Sequence, residues 1–191
     1  MCIRDSVWVG GFGILGKDGS GTISHFGLEG EAIIQMGTFS KSIGALGGYI
    51  GGSHALIELL INRARGFIFT TGLPPATLAA ANAALDVMRS SPDLRRCLFS
   101  HAKFLKTALI DLGYTLLPSE TQILPVVLGS PQRATSVAEA LLAEGIFAPA
   151  IRPPAVPPDT SRLRLTVMAT HTKAEIQRAI SGFTTVFRKS R

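Results

Sequence analysis

Long apolar runs are missing from this sequence of 191 residues. No stretch reaches the roughly 18 apolar residues of a membrane-spanning helix, so no membrane span is expected, and no membrane partner. Cysteine is scarce. Cys2 and Cys97 show no CxxC or Cys/His metal spacing, so neither a disulfide framework nor a zinc site is expected, and no metal. Thiols without pairing fit a reducing, cytoplasmic setting. The four histidines, His25, His54, His101 and His171, are scattered without ligand spacing. Basic clusters are also lacking. The net charge is +6, from 19 Lys+Arg against 13 Asp+Glu, but it is spread thinly. Its densest group is the tail Arg188, Lys189 and Arg191, better suited to the negative end of a last helix than to nucleic acid. The start, MCIRDSVWVGG, has no basic region leading into a long apolar stretch, so it is not a secretory signal.

What is present is a capacity to fold. Hydrophobic residues make up 46% and charged residues 17%, enough to bury a core. Arginine outnumbers lysine, which keeps anionic small molecules among the candidate ligands. Residues 10–21 are rich in glycine, with a tight turn expected at Lys17-Asp18-Gly19. A short buried strand is predicted at 32–36, a next strand at 47–51, and a β-branched, aromatic strand at 67–71. Ser53 is placed to cap a helix over 54–65, and Pro74-Pro75 opens an alanine-rich helix over 75–90. Ser91-Pro92 starts a further helix that Gly113 ends. Strands follow at 114–117 and 123–128, then a helix over 130–144 closed by Gly145. Strands at 146–151 and 162–167 lead to a last helix, opened by a Thr172/Glu175 capping box. Its apolar face is Ile176, Ala179, Ile180, Phe183 and Phe187. The class is α/β, with a boundary near residue 90 and a small α+β domain over 91–191.

One segment asks for chemistry. Residues 36–52 read MGTFSKSIGALGGYIGG, with Lys41 among small residues. The phosphate-loop signature G-x-x-x-x-G-K-[ST] fails, because Ser40 precedes the lysine. The G-x-G-x-x-G run at Gly11, Gly13 and Gly16 has no strand before it and no helix after it. A solvated surface lysine is the bland alternative. A strand on each side and small residues between them favour a lysine aimed into a packed site. A partly dry amine is a Schiff-base nucleophile. Thr38 and Ser40 stand close enough to help hold a phosphate, and the glycines allow close backbone approach.

GTFSKSIGALGGYIGG resembles the cofactor-lysine motif of the α-oxoamine synthases, pyridoxal-phosphate enzymes of the aspartate-aminotransferase fold. GFGILGKDGSGTISHFGLEG resembles the segment before that lysine, FIFTTGLPP the one after it, and AIRPPAVPPDTSRLRLTVMATHT the C-terminal substrate-binding segment. The likeness covers nearly all of residues 11–191. It implies that Lys41 forms the Schiff base and later moves protons at the substrate α-carbon. It implies that Thr38 contacts the cofactor phosphate, and that Thr70 and Thr71 reach a phosphate across a homodimer interface. Arg152 and Arg164 match arginines near the substrate carboxylate, a task suited to a guanidinium fork. Residues 1–90 then read as a remnant of a cofactor-binding large domain, and 91–191 as the small domain.

The IRPPAVP and RLRLT stretches look most like the biotin-pathway branch. That branch condenses alanine with pimeloyl-CoA, or a carrier-protein analogue, and loses carbon dioxide. A member using glycine or serine stays open, as does a non-catalytic module that dimerises or binds a partner. The sequence departs from the family at a D-E-A-H-G type segment expected at positions 7–11, where Val7, Trp8, Val9, Gly10 and Gly11 stand. Val7 cannot keep a pyridine ring protonated, which weakens the electron sink. With MCIRDS read as a non-native prefix, the expectation is a fragment of a longer enzyme with little activity alone.

Overall fold

The computed structural model describes residues 11–189, with side chains to Val186. The readings made on residues 1–10, on the Phe187 side chain and on the basic tail lie outside it. The chain divides after Pro92 into two compact units.

The first unit opens with turns from Gly11, a short helix α1 (Thr22–His25) and a hairpin of β1 (Gln35–Thr38) and β2 (Gly48–Gly51). The strands are antiparallel, in register from Gln35↔Gly51 to Thr38↔Gly48. Gly37 lies opposite Tyr49, and any Cβ at Gly37 would enter the tyrosine ring. That ring stacks on Phe39 at 5.9 Å and meets the edge of Phe12 at 5.7 Å. Three aromatic rings therefore hold the hairpin to the turn-rich segment. Helix α2 (His54–Arg63) begins where Ser53 Oγ accepts the Leu56 N–H at 3.3 Å. Helix α4 (Pro75–Ser90) begins with proline at its first position, where no N–H bond is lost.

Two expectations need correction here. The strand predicted at 67–71 is absent, and α3 (Arg65–Ile68) stands in its place. A strand needs a neighbour to take its amides. Here Phe67 and Ile68 N–H donate to Ala64 O, Phe69 N–H donates to Arg65 O, and Thr70 Oγ1 donates to Gly66 O. Local bonds thus outweigh β propensity. The first strand starts at Gln35 rather than Ala32, and Ile34 and Met36 are each about half exposed rather than buried.

The second unit is a four-stranded antiparallel sheet in the order β3-β4-β6-β5 with three helices. The strands are β3 (Thr115–Leu116), β4 (Ile123–Gly129), β5 (Ala150–Ile151) and β6 (Ser161–Thr166). The helices are α5 (Pro92–Asp111), α6 (Pro131–Ala143) and α7 (Lys173–Lys189). Period-two alternation sorts the sheet into two faces. Leu124, Val126 and Leu128 on β4, with Ser161, Leu163 and Leu165 on β6, are buried. The core also holds Leu109, Leu141 and Phe183, one from each helix. Tyr114 donates its hydroxyl to Phe183 O at 3.1 Å, and the two rings meet edge to face. The opposite face carries Arg162 beside Val127 and Ile151, and Arg164 beside Pro125. Ser130 Oγ caps α6 by accepting the Arg133 N–H at 3.2 Å. At α7, Thr172 and Glu175 cap each other, with Thr172 N–H to Glu175 Oε2 at 2.7 Å.

Phe183→Ala is expected to cost the folded chain about 3–5 kcal/mol, by lost burial and a cavity. Phe147→Ala, at an exposed position, should stay within about 0.5 kcal/mol. Denaturant titration followed by circular dichroism separates them. Glu175 has its carboxyl held below the ordinary value of 4.5 by the Thr172 amide and hydroxyl. Its folded-state value is the lower one, so its contribution is present above 4.5 and fades as pH falls through that folded-state value. Glu175→Gln should therefore differ from wild type in melting temperature near neutral pH, with the gap closing in acid.

Candidate active site

The β1–β2 hairpin carries its chemistry at its tip, in a loop spanning 39–47. Thr38↔Gly48 is the last strand pair, and Phe39 N–H donates to Gly47 O at 2.9 Å to close the base of the loop. Inside it, Ala45 N–H donates to Phe39 O at 2.9 Å and Gly44 N–H to Lys41 O at 3.0 Å. Gly44 holds a φ of +65°, where side chains are disfavoured, so the turn behind Lys41 requires glycine. Ile43 is buried and anchors the loop, while Lys41 is exposed.

Thr38 and Ser40 are brought together beside Lys41. Thr38 Oγ1 lies 2.9 Å from Ser40 Oγ, donates to Gly47 O at 3.2 Å, and accepts the Ser40 N–H at 3.2 Å. Two hydroxyls and one amide thus meet at Thr38 and Ser40, and Lys41 is the next residue in the chain. The expectation of a dry pocket around Lys41 is corrected by its exposure. The tip turns Ile43 inward, and Lys41 two residues earlier faces out.

Thr70 and Thr71 follow α3 and are exposed, with the Thr70 hydroxyl donating to Gly66 O at 2.7 Å. Their segment does approach the loop. A Cβ built on Gly47 would lie 3.0 Å from Leu73 Cδ1, so Leu73 packs against the closing glycine. A hollow of about 60 Å³ near Phe12, Ile23, Met36 and Tyr49 is lined by none of the loop residues. Burial there pushes the Tyr49 hydroxyl above its ordinary range.

The arginines belong to the second unit. Arg152 follows β5, is exposed, and donates from Nη1 to Thr135 Oγ1 at 3.3 Å. Arg164 is exposed on β6, its backbone N–H donating to Pro149 O at 3.0 Å. Arg162, passed over in the sequence reading, shares the Arg164 face because the two are spaced by two along the strand. It is committed locally, donating from Nε to Thr160 O at 2.9 Å and from Nη2 to Thr160 Oγ1 at 3.0 Å. Arg152 and Arg164 keep most of their guanidinium donors available for an anion.

The amine and hydroxyls of the lysine loop fit an aldehyde that carries a phosphate. Among the described residues there is no group of three or more metal-ligating side chains, and no helix is long and apolar enough to cross a membrane.

The family model for aminotransferase class I and II matches residues 11–183. The 8-amino-7-oxononanoate synthase of Geobacter sulfurreducens is 45% identical over 175 residues, covering 90% of this chain and 44% of that protein. A structure of SPT with a pyridoxal-phosphate internal aldimine superposes with a TM-score of 0.89 at 33% identity, over 95% of this chain and 46% of that one. The 8-amino-7-oxononanoate synthase of Francisella tularensis superposes with a TM-score of 0.84 at 26% identity, over 95% of this chain and 54% of that one. The chain thus spans about half the length of the proteins it matches. Its fold is part of the α/β fold of pyridoxal-phosphate enzymes, and its likeness is to the α-oxoamine synthases. This chain belongs to the aminotransferase class I and II family.

Proposed function

We propose that this chain is the lysine-bearing part of an α-oxoamine synthase. Its reaction joins L-alanine to pimeloyl-CoA, or to an acyl-carrier thioester, with loss of carbon dioxide. The observation that carries this reading is the loop tip, where Lys41 stands beside the paired hydroxyls of Thr38 and Ser40. The relatives named 8-amino-7-oxononanoate synthase support the choice of substrates.

When bound, pyridoxal phosphate supplies an electron sink for a carbanion at the amino-acid α-carbon. The residues of this chain do the rest. Lys41 Nζ would hold the cofactor's aldehyde, and its free amine would serve as the base that moves the proton at the substrate α-carbon. Thr38 and Ser40 would turn their hydroxyls to the phosphate in exchange for their present bonds to Gly47 O and to each other. Thr70 and Thr71 would reach the cofactor phosphate across a homodimer interface. Arg152 and Arg164 grip the substrate carboxylate through paired hydrogen bonds. In this reading residues 1–90 belong to the cofactor-binding large domain and 91–191 to the small domain, in a cytoplasmic enzyme. Val7 stands in register with the family's ring-nitrogen aspartate, so slow turnover by this chain alone is part of the proposal.

A second reading has its own observation. Leu46, Phe67 and Phe69 are each about two-thirds exposed or more on the first unit. A non-catalytic fragment that dimerises through apolar surface would show such a face.

The test is the absorbance of the purified chain with added pyridoxal phosphate. A visible or near-ultraviolet band in wild type that Lys41→Ala abolishes, and that L-alanine perturbs more than glycine or serine, is expected. A band that survives Lys41→Ala refutes the role of the lysine, and no band in either protein favours the second reading.

A further inference from the structure

Lys41 is exposed on a loop, yet a lysine that must meet one aldehyde carbon needs a fixed point of attachment. Its neighbour supplies one. Ser42 Oγ donates to the carbonyl of Phe12 at 2.6 Å, across 30 residues of sequence. Next to that carbonyl, Gly13 has a φ of +80°, and a Cβ built on it would lie 2.7 Å from both Ser42 Cβ and Ser42 Oγ. The turn-rich segment therefore touches the lysine loop so closely that no side chain fits between them. A second tie lies on the other side of the lysine, where Phe39 stacks on Tyr49 and Tyr49 meets the Phe12 ring. Phe12 thus meets the loop directly by its carbonyl, behind Lys41, and through the Tyr49 ring at Phe39, ahead of it.

We propose that Ser42 is a positioning residue for Lys41, resting on the reading of Lys41 as the cofactor-bearing amine. The bond pins the backbone one residue from the lysine Cα, so the long side chain swings from a fixed root. Confining a reacting amine to fewer directions raises its effective concentration at the target carbon. Ser42 is not itself a catalytic residue, since its hydroxyl is spent on the Phe12 carbonyl. A neutral, exposed hydrogen bond of this kind is worth about fivefold in an equilibrium.

Two measurements on the full chain, using wild type, Ser42→Ala and Ser42→Thr, decide it. Without cofactor, hydrogen exchange reads the amides of Phe39, Gly44 and Ala45, which bond within or across the loop. They should exchange faster in Ser42→Ala and regain protection in Ser42→Thr. Equal exchange in wild type and Ser42→Ala overturns the clamp. With pyridoxal phosphate and borohydride, peptide mapping should show label on Lys41 falling about fivefold in Ser42→Ala and recovering in Ser42→Thr, with each variant folded by circular dichroism. Equal labelling of Lys41 in wild type and Ser42→Ala overturns the positioning role. A wild-type chain with no label on Lys41 overturns the cofactor reading and the positioning role together, while the exchange result still decides the clamp.

Discussion

The close approach of Gly13 and Gly37 to the side chains that face them governs the first unit. Gly37 leaves room for the Tyr49 ring, and Gly13 for Ser42. A methyl group at either place would separate the hairpin from its support. Both contacts use the same small segment, because Phe12 meets Tyr49 with its ring and Ser42 with its carbonyl. The glycines here are consequences of packing geometry and not of linker flexibility. What they permit is a loop closed at its base by Thr38 and Gly47, turned by Gly44, and carrying one outward amine beside two hydroxyls.

The second unit solves a different problem with the same economy of means. Alternation along β4 and β6 buries one set of side chains in a core with α6 and leaves the other set partly or fully exposed. The arginines of RLRLT fall on the open face because the leucines between them are needed inside. Arg162 is drawn off by Thr160, and Arg164 is left available. In the proposed function, the availability of Arg164 to an anion follows from strand periodicity and from the local bonds that hold Arg162.

Elements whose signals are local were legible in the sequence. Ser53, Ser130 and the Thr172/Glu175 pair cap helices because capping needs only residues three apart. Gly113 and Gly145 end helices at positive φ for the same local reason. The segment 67–71 was not legible, because FIFTT has strand composition but a strand exists only with a partner. The motif singles out Lys41, but its exposure was not legible. Which of two neighbouring loop residues turns inward depends on packing around Ile43, and composition does not encode that. Ser42 was invisible for a similar reason, since its partner is 30 residues away in the chain.

A crystal structure of the purified chain soaked with pyridoxal phosphate tests the central claim most directly. Continuous density between Lys41 Nζ and the cofactor's aldehyde carbon, with the phosphate against Thr38 and Ser40, is the expected result. Cofactor density on other lysines, or a phosphate held away from the Thr38–Ser40 pair, would contradict it.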